Sequence, residues 1–572
     1  MIDLRIRGAT IVDGTGAERF AGNLEVDAGQ ITAVGEATRE SARQTLDVDG
    51  LVVSPGFFDL HTHYDAQWFW EPSASPSCWH GITSVLTGNC GFSLAPVACD
   101  ADREYLKLLF SQVEGVSQAL LDRVVDFRWS GFGEYLERIE PVLGVNVASQ
   151  IGHSAMRHCA MGADAYEREA SPLEIAAMSE MLRKAMSEGA IGFSTLQATF
   201  EVGPFEKPVP SQLATHDELR ALAKTVGAAG GGIVTVSPHP GAADIDDAYQ
   251  ALLIEMSQLA RGASLWNAFQ HRWDQPERWR DLLAFMDRAA RDGAQVYSVA
   301  RCQSLDLEFD FLATRLFVYF PTWHDALSLD HGDKRARLAD PGVREALRRE
   351  FNDPEQGPSQ MIARSRIVEV LRSNKHPELE GRPLCQIADE RGLDLVDLML
   401  DTAVDDDLET RFVYRGLMNG DPQAVREILQ SPYCVPGVSD AGAHLDMDCG
   451  VDFSGRLLGH WVRSEGIFSL EEAVRRLTSF SADVIGVTDR GRLQPGQAAD
   501  LVLFDPDTIA AGERETLRDV PGGGTRIVQR AIGVEKVFVN GELLVDGGRP
   551  CDVHPGRVLR RGSGANSLAP AE

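Results

Sequence analysis

The sequence is short of basic residues and has no run of them. Of its 572 residues, 55 are Lys or Arg and 85 are Asp or Glu, which gives a formal net charge of -30. Phosphate binding needs clustered positive charge, so this balance argues against nucleic acids and anionic membrane surfaces as partners. The sequence also lacks an apolar stretch long enough to cross a bilayer and the apolar core of a signal peptide. We therefore expect a cytoplasmic protein without a membrane partner.

Cysteine is scarce, and two nucleotide-binding signatures are missing. Nine cysteines, an odd number scattered through a long chain, indicate reduced thiols rather than a disulfide framework. No Gly-x-Gly-x-x-Gly motif follows a predicted strand, and no Gly-Lys-Ser/Thr of the Walker type occurs. The sequence therefore gives no support to a dinucleotide-binding or P-loop protein.

Both ends of the chain have a strand-like pattern. In residues 1–53, apolar residues alternate over short runs bounded by turns, and the same pattern returns in residues 488–555. Within the second stretch, Asn540 and Gly541 fit a type I′ turn between two strands. Neither end is long enough to close a β-core alone, so we expect them to combine in one small β-sandwich. Residues 556–572, rich in Gly, Ser and Ala, are predicted to form a flexible tail.

Helix and strand patterns alternate between these ends. Ser171 is a predicted N-cap, Pro172 takes the first helical position, and Gly189 ends a helix that precedes a strand. Repeated units of this kind favour an α/β fold, and a (β/α)8 barrel of the TIM type over residues 54–487 is the simplest closure. A doubly wound sheet is the alternative. Residues 305–385 are too long for a barrel loop and are predicted to form an inserted, lid-like subdomain.

Side chains suited to metal chemistry occur where the predicted barrel strands end. Active sites of such barrels lie at that end of the strands, so these residues are expected to meet. Imidazole and thiolate are preferred zinc ligands, and a carboxylate beside activated water can carry protons. The set predicts a metal-assisted hydrolase. Its members are His61, His63, Cys90, His239, His271 and Asp440.

Each of these residues also has a purely structural interpretation. The one-residue spacing of His61 and His63 places both imidazoles on one face of a strand, as a metal requires, but such pairs also occur without metal. Cys90 could be a small buried apolar residue, and His239, between two prolines, could cap an exposed loop. Asp440 could be an N-cap or a turn former. Their order and their place at strand ends favour the functional interpretation.

Longer motifs give a more specific indication, and they lie at residues 55–65, 88–96, 152–157, 189–195, 270–272, 321–323, 439–442 and 491–502. The sequence resembles the amidohydrolase superfamily, and within it the N-acyl-D-amino-acid deacylase (D-aminoacylase) group, over nearly its whole length. Most two-metal amidohydrolases use a carbamylated lysine as the bridging ligand. The D-aminoacylase group has a cysteine instead, and this chain resembles the group in having Cys90.

The resemblance implies a role for each predicted site residue. Cys90, His239 and His271 would hold one tightly bound Zn²⁺, and His61 with His63 would belong to a second, weaker site that shares Cys90. Asp440 would be the catalytic acid and base. Zinc would supply activated water near neutral pH, and the aspartate would pass its proton to the leaving nitrogen.

Several substrate-facing positions depart from the pattern of this group. The tyrosine that usually follows the Ser194-Thr195 strand is missing, and Trp273 stands where a lysine is typical. Arg301 could replace the missing groups as an anchor for a carboxylate. With Trp273, His153 and Arg157, it forms the set of candidate substrate-binding residues.

We therefore interpret the sequence as a zinc-dependent amidohydrolase that cleaves a C-N amide bond in an N-acylated amino acid or a related small amide. N-acyl-D-amino acids are one such substrate class. A first alternative is a hydrolase of cyclic amides, imides or lactones, and a second is a metal-binding relative without turnover. The expected partner is a small-molecule amide, and a homo-oligomer is compatible with the sequence.

Overall fold

The computed structural model of the protein describes residues 1–560 except for 37, 39–40, 200, 240–244, 274, 313, 315, 318–319, 354–366 and 448. Helices and strands alternate through most of the chain, and the fold is mixed α/β, as predicted. The strands are, in chain order, β1 Ile2–Ile11, β2 Phe20–Asp27, β3 Gln30–Gly35, β4 Ala42–Asp47, β5 Val52–Pro55, β6 Phe57–Asp59, β7 Ile82–Thr87, β8 Asn146–Ser149, β9 Ile151–Gly152, β10 Gly192–Leu196, β11 Ile233–Ser237, β12 Ser264–Phe269, β13 Val296–Ala300, β14 Leu305–Phe309, β15 Val368–Arg372, β16 Arg411–Met418, β17 Cys434–Pro436, β18 Leu501–Phe504, β19 Ala510–Val520, β20 Gly524–Ile532, β21 Val534–Val539, β22 Glu542–Asp546 and β23 Arg549–Pro550.

Most helices connect successive strands. The α-helices are α1 Asp100–Val113, α2 Gln118–Val124, α3 Phe132–Ile139, α4 His153–Met161, α5 Pro172–Glu188, α6 His216–Ala228, α7 Asp247–Ala260, α8 Arg278–Arg291, α9 Pro321–Leu327, α10 His331–Ala339, α11 Pro341–Asn352, α12 Leu384–Arg391, α13 Leu395–Asp405, α14 Pro422–Gln430, α15 Phe453–Arg456, α16 Leu470–Arg475 and α17 Ser481–Ile485. Two π-helical segments, Leu457–Ser464 and Arg476–Phe480, follow α15 and α16. Within the described part of the chain, no helix has both the length and the apolar character needed to cross a bilayer.

The helix α5 shows how local sequence fixes an element. The Ser171 hydroxyl accepts a hydrogen bond from the Glu174 N-H, and the Glu174 carboxylate accepts one from the Ser171 N-H at 2.7 Å. This capping box satisfies N-H groups that a helix start leaves unpaired. Gly189 follows the last turn with φ 125°, a conformation that suits glycine. The predicted helix and both of its ends are confirmed.

The two ends of the chain share one nine-stranded sheet. Its order is β23-β22-β21-β18-β5-β1-β2-β3, with β4 paired to β1. Leu4 and Ile6 on β1 face Val26 and Leu24 on β2, and all four side chains are buried. The alternation in the sequence therefore provides the apolar face that holds the two strands together.

The β21–β22 hairpin contains the turn that the sequence predicts. Asn540 and Gly541 lie between these strands with φ 48° and 84°. Positive φ at both central positions is the requirement of a type I′ turn, because its twist matches that of the flanking strands.

Nine parallel strands form two further sheets. One has the order β17-β13-β12-β11-β10-β9 and the other β6-β7-β8. At one junction, only Gln150 separates β8 from β9, and its N-H donates to Thr87 O on β7. At the other, Thr62 and Ala441, just beyond β6 and β17, form an isolated parallel bridge. The two sheets are thus in contact at both of their edges.

An inserted unit with its own core separates β13 from β17. Its sheet has the order β14-β16-β15, and its apolar cluster includes Phe309, Trp323 and Phe412. Because β16 pairs with both other strands, the unit continues to Met418, beyond the predicted end at 385. A boundary set by strand pairing across a long insertion leaves no local signal in the sequence.

Part of the predicted tail is ordered against the parallel strands. The Gly556 N-H donates to Leu143 O, and the Leu559 N-H donates to Val147 O on β8, both at 2.8 Å. Residues 556–560 therefore extend the packed structure instead of starting a flexible tail. Residues 561–572 lie outside the described part of the chain.

A buried polar junction joins the sheet of the chain ends to the parallel strands. Asp500 accepts hydrogen bonds from Arg490, from Asn146 Nδ2 at 3.0 Å and from the Asn540 N-H at 2.7 Å. Asp500 and Arg490 are both buried. Since Asn146 lies on β8, one carboxylate connects the sequence-distant parts of the fold.

We predict that Asp500→Ala lowers the free energy of unfolding by about 3–5 kcal/mol, because it removes the buried carboxylate that pairs with Arg490 and leaves that guanidinium only the exposed Asp489 as a charged partner. Urea unfolding followed by circular dichroism measures the loss. Asp507→Ala, at an exposed position beyond the other end of β18, is the control and should change stability by less than about 0.5 kcal/mol. Equal stability of the two variants would contradict the role assigned to this junction.

Candidate metal centre

The residues of the candidate site follow the C-terminal ends of parallel strands. His61 and His63 come just after β6, Cys90 comes after β7, and Asp440 comes after β17. Parallel strands present these ends at the same edge of a sheet. The fold therefore brings together side chains far apart in the sequence, since His61 and Asp440 are separated by 379 positions.

Three of these residues form a compact group of metal-binding atoms. The ligand atoms of His61, His63 and Cys90 all lie within 4.8 Å of one another. His61 Nε2 is 3.3 Å from His63 Nε2 and 3.6 Å from Cys90 Sγ. Both rings are buried, and Cys90 is partly buried with φ 53°. Two imidazoles and a thiol in this arrangement are a donor set that Zn²⁺ prefers.

The Asp440 carboxylate borders this group. Its Oδ1 lies 2.9 Å from His61 Nε2 and 3.8 Å from His63 Nε2. The backbone of Asp440 has φ 54°, an uncommon value for a residue other than glycine that costs about 1–3 kcal/mol. The side chain is 30% exposed, while both imidazoles are enclosed, so the carboxylate lies between the ligands and the open side of the site.

Gly442 lets the Asp440 loop approach the metal-binding strand end. It has φ 95°, and a Cβ at this position would lie 2.5 Å from the carbonyl carbon and oxygen of His63. Such contacts are closer than any side chain permits. Glycine is therefore required here for steric as well as conformational reasons.

Burial and neighbouring charges shift the pKa of each group in the cluster. Burial, with a further contribution from His61, lowers the pKa of His63 to about 3, so this imidazole is neutral. Burial also lowers the pKa of His61, but the charges of Cys90 and Asp440 outweigh it and raise that pKa well above its usual value. Burial raises the pKa of the Cys90 thiol.

The Asp440 carboxyl has the opposite environment. Burial raises its pKa, but His61, and after it the Arg301 guanidinium, lower it by more, so the net pKa is well below the ordinary range. The carboxylate is therefore ionised in the described structure. Arg301, which follows β13, is therefore close enough for its positive charge to act on the Asp440 carboxylate.

His239 and His271 do not join the three-residue cluster in the described structure. His239 is exposed at the end of β11, next to residues 240–244, which the structure does not describe. Two positions earlier, Ser237 Oγ donates to Cys90 Sγ at 3.4 Å, so the end of β11 adjoins the site. His271 is buried after β12, and its N-H donates to Asn419 Oδ1 at 2.8 Å. Both histidines remain predicted ligands.

His153 and Arg157 occupy an internal ion-pair network. Both side chains are fully buried. His153 Nε2 lies 2.8 Å from Glu218 Oε1, and Arg157 Nη1 donates to both Glu218 carboxylate oxygens at 2.6 Å. Burial lowers the pKa of His153. These contacts hold α4 against α6, and the role of His153 and Arg157 in substrate binding stays a prediction.

One contact of the site has no signal in the sequence. Glu114 Oε1 lies 3.2 Å from His63 Nδ1, and burial raises the pKa of this carboxyl well above its usual value. Glu114 comes at the end of α1 and belongs to none of the motifs. Only its contact with His63 in the folded chain reveals the residue.

Sequence comparison agrees with the geometry. A family model described as the amidohydrolase family matches residues 44–295 and 379–545. The chain belongs to the amidohydrolase family. The gap between the two matched stretches contains most of the inserted unit.

Characterised relatives of this amidohydrolase cover nearly its whole length. It is 28% identical to a D-aminoacylase and 30% identical to an N-acyl-D-aspartate deacylase, both of Alcaligenes xylosoxydans xylosoxydans. The matches cover 98% of this chain in both cases, with 98% and 95% of the respective relatives. A crystal structure of an N-acyl-D-glutamate deacylase from Bordetella bronchiseptica, complexed with zinc and a phosphonate inhibitor, is 27% identical with a TM-score of 0.65. That match covers 98% of this chain and 99% of the other.

We predict that Cys90→Ala lowers the zinc content of the purified protein, because it removes the thiolate from the donor group. Elemental analysis after dialysis against zinc-free buffer measures the change. Cys385→Ala, at another partly buried free cysteine in the inserted unit, is the control and should retain the zinc content of the wild type. An unchanged zinc content in Cys90→Ala would show that the thiol is not a ligand.

Proposed function

We propose that this amidohydrolase uses zinc to hydrolyse the C-N amide bond of an N-acylated amino acid. The group formed by His61, His63 and Cys90, with the Asp440 carboxylate against it, is the observation that supports the proposal most directly. The relatives named D-aminoacylase and N-acyl-D-aspartate deacylase make N-acyl-D-amino acids the first substrates to test.

The residues present fit a zinc ion. One thiol and two imidazoles converge in an enclosed space, and carboxylate charge lies beside them. Zinc bound there would act as a Lewis acid that makes water a nucleophile near neutral pH and polarises the substrate carbonyl. His239 and His271 are the further predicted ligands, and their strands β11 and β12 are adjacent in the parallel sheet.

Asp440 has the position of a proton carrier. Its Oδ1 contacts His61 Nε2, and its side chain reaches the open side of the site. From there the carboxylate accepts a proton from the attacking water and returns it to the leaving nitrogen. The pairing of its backbone with that of His61 holds the carboxylate at a fixed distance from the ligands.

Arg301 is the proposed anchor for a substrate carboxylate. It is buried after β13, and its charge acts on Asp440. A Cβ at Gly450 would lie 2.6 Å from Arg301 Nη2, so the absence of a side chain there makes room for the guanidinium. Its planar fork can bind a carboxylate through two hydrogen bonds. Trp273, 37% exposed and two positions after His271, would offer an apolar wall.

We further infer that the parallel strands close into a (β/α)8 barrel. If β8 and β9 are counted as one strand interrupted at Gln150, the parallel strands number eight. The other seven are β6, β7, β10, β11, β12, β13 and β17. The Thr62–Ala441 bridge supports closure at the other junction. In the sheet of the chain ends, β1 pairs with three strands, β2, β4 and β5. This branching supports the two layers of the predicted β-sandwich.

A cytoplasmic location is part of the proposal. All nine cysteines are free, as expected where thiols are kept reduced. The partner is a small-molecule amide, and assembly into a homo-oligomer remains a prediction.

We predict that Asp440→Asn lowers kcat by about 10²–10⁴-fold, because an amide cannot carry the proton, while zinc content is retained. A wild-type screen of N-acetyl-D-amino acids, their L-isomers and cyclic amides identifies the substrate, and steady-state kinetics on that substrate measure the effect. Asp446→Asn, at an exposed position of the same loop, is the matched control with unchanged kcat. Near-wild-type turnover by Asp440→Asn would show that its role is misassigned, and a screen without amide hydrolysis would contradict the proposed function.

Two double variants test the predicted division of the metal ligands. We expect His61→Ala/His63→Ala to retain one tightly bound zinc and lose the weaker one, because the tight site is predicted at Cys90, His239 and His271. His239→Ala/His271→Ala should lose the tight zinc. Stoichiometry and competition with a chromogenic chelator distinguish these results. Loss of all zinc from the first variant would instead place the tight site at the cluster of His61, His63 and Cys90.

A further inference from the structure

Glu114 reaches the metal-binding cluster from outside the strands that provide its ligands. It follows the last turn of α1, where its N-H donates to Phe110 O. The side chain is only 4% exposed. Burying a carboxyl group at this depth costs free energy unless its oxygens find hydrogen-bond donors.

Glu114 faces His63 Nδ1, the ring nitrogen of this predicted metal ligand that points away from the cluster. Its Oε1 lies 3.2 Å from His63 Nδ1, and on the other side of that ring Nε2 lies 3.3 Å from His61 Nε2. When the Nδ1-H of a neutral imidazole donates to a carboxyl oxygen, the lone pair available for a metal is on Nε2. The contact therefore selects the nitrogen that faces the cluster.

The two histidines of the cluster differ in the surroundings of their Nδ1 atoms. His61 Nε2 also faces the cluster, 3.6 Å from Cys90 Sγ. Its Nδ1, however, has no hydrogen-bond partner among the described residues. Of the two rings, His63 is thus the one with a carboxyl oxygen within reach of its Nδ1 atom.

Glu114 also contacts the catalytic loop through its backbone. Its carbonyl oxygen accepts a hydrogen bond from the His444 N-H at 2.8 Å. His444 is four positions beyond Asp440, and Gly442 between them lies against the His63 backbone. One residue at the end of α1 therefore holds both the His63 ring and the loop that carries the Asp440 carboxylate.

We propose that Glu114 is a positioning residue that orients His63 to bind metal through Nε2 and so sets the metal affinity of the position formed by His61 and His63. This inference rests on the proposed function, because it takes these histidines as zinc ligands. An acceptor oxygen behind a ligating imidazole fixes its tautomer and orientation, and loss of such a partner typically weakens metal affinity by about 10–100-fold.

The test compares two substitutions of similar size. Glu114→Gln keeps an oxygen that can accept from His63 Nδ1, whereas Glu114→Leu keeps the volume without an acceptor. We expect Glu114→Leu to weaken one class of bound zinc by about 10–100-fold in chelator competition, and Glu114→Gln to remain within about threefold of the wild type. Glu104→Leu, at an exposed position of the same helix, is the control with wild-type affinity.

A double-mutant cycle separates positioning from a general effect on the fold. On a His63→Ala background, Glu114→Leu should change zinc affinity no further, because the ring that it orients is gone. Thermal unfolding of the metal-free variants checks that they fold. Equal zinc affinity of wild type and Glu114→Leu, equal losses in the Leu and Gln variants, or an undiminished effect on the His63→Ala background would each overturn the inference.

A measurement on the unsubstituted contact keeps the inference testable if Glu114→Leu does not fold. In metal-free protein with ¹⁵N-labelled histidine, the His63 signals, identified by their loss in His63→Ala, should report a proton on Nδ1. A proton on Nε2 instead would overturn the inference. If wild-type protein binds no zinc, the proposed function fails, whereas zinc binding that is insensitive to Glu114→Leu refutes this inference alone.

Discussion

Two backbone hydrogen bonds between the segments that follow the first and the last of the parallel strands define the candidate site. The His63 N-H donates to Ala441 O at 2.7 Å, and the Asp440 N-H donates to His61 O at 3.2 Å. Because backbone pairing fixes register, it also fixes which side chains meet, and here it places a carboxylate against two imidazoles. The positive φ of Asp440 and the close approach of Gly442 are local consequences of this pairing.

The electrostatics of the site follow from enclosing several ionisable groups in one space. Cys90, Asp440 and Glu114 are acidic groups. Burial lowers the pKa of His61, but the charges of Cys90 and Asp440 raise that pKa by more. Protons and metal ions compete for such donors, since a ligand must be deprotonated to bind. The donor arrangement explains both the high pKa of one imidazole and the suitability of the cluster for a divalent cation.

Local sequence signals predicted local structure well. The capping box at Ser171 and Glu174 and the turn at Asn540 and Gly541 each depend on residues a few positions apart, and both are confirmed. The end of the inserted unit depends on the pairing of β16 with strands far away in the sequence, and its predicted position was too early. His153 was predicted to bind substrate from its place in a motif, and only the structure shows that its ring contacts the buried Glu218.

The sequence by itself determined the chemistry available at the strand ends. His61 and His63, with Cys90 and Asp440, could be identified because residue type and spacing along a strand are local properties. Only the tertiary structure decided which of these groups touch, that Asp440 lies against His61, and that Glu114 lies behind His63. The reason is physical: contacts between strand ends and a crossing helix depend on register and packing over hundreds of residues, which no short segment encodes.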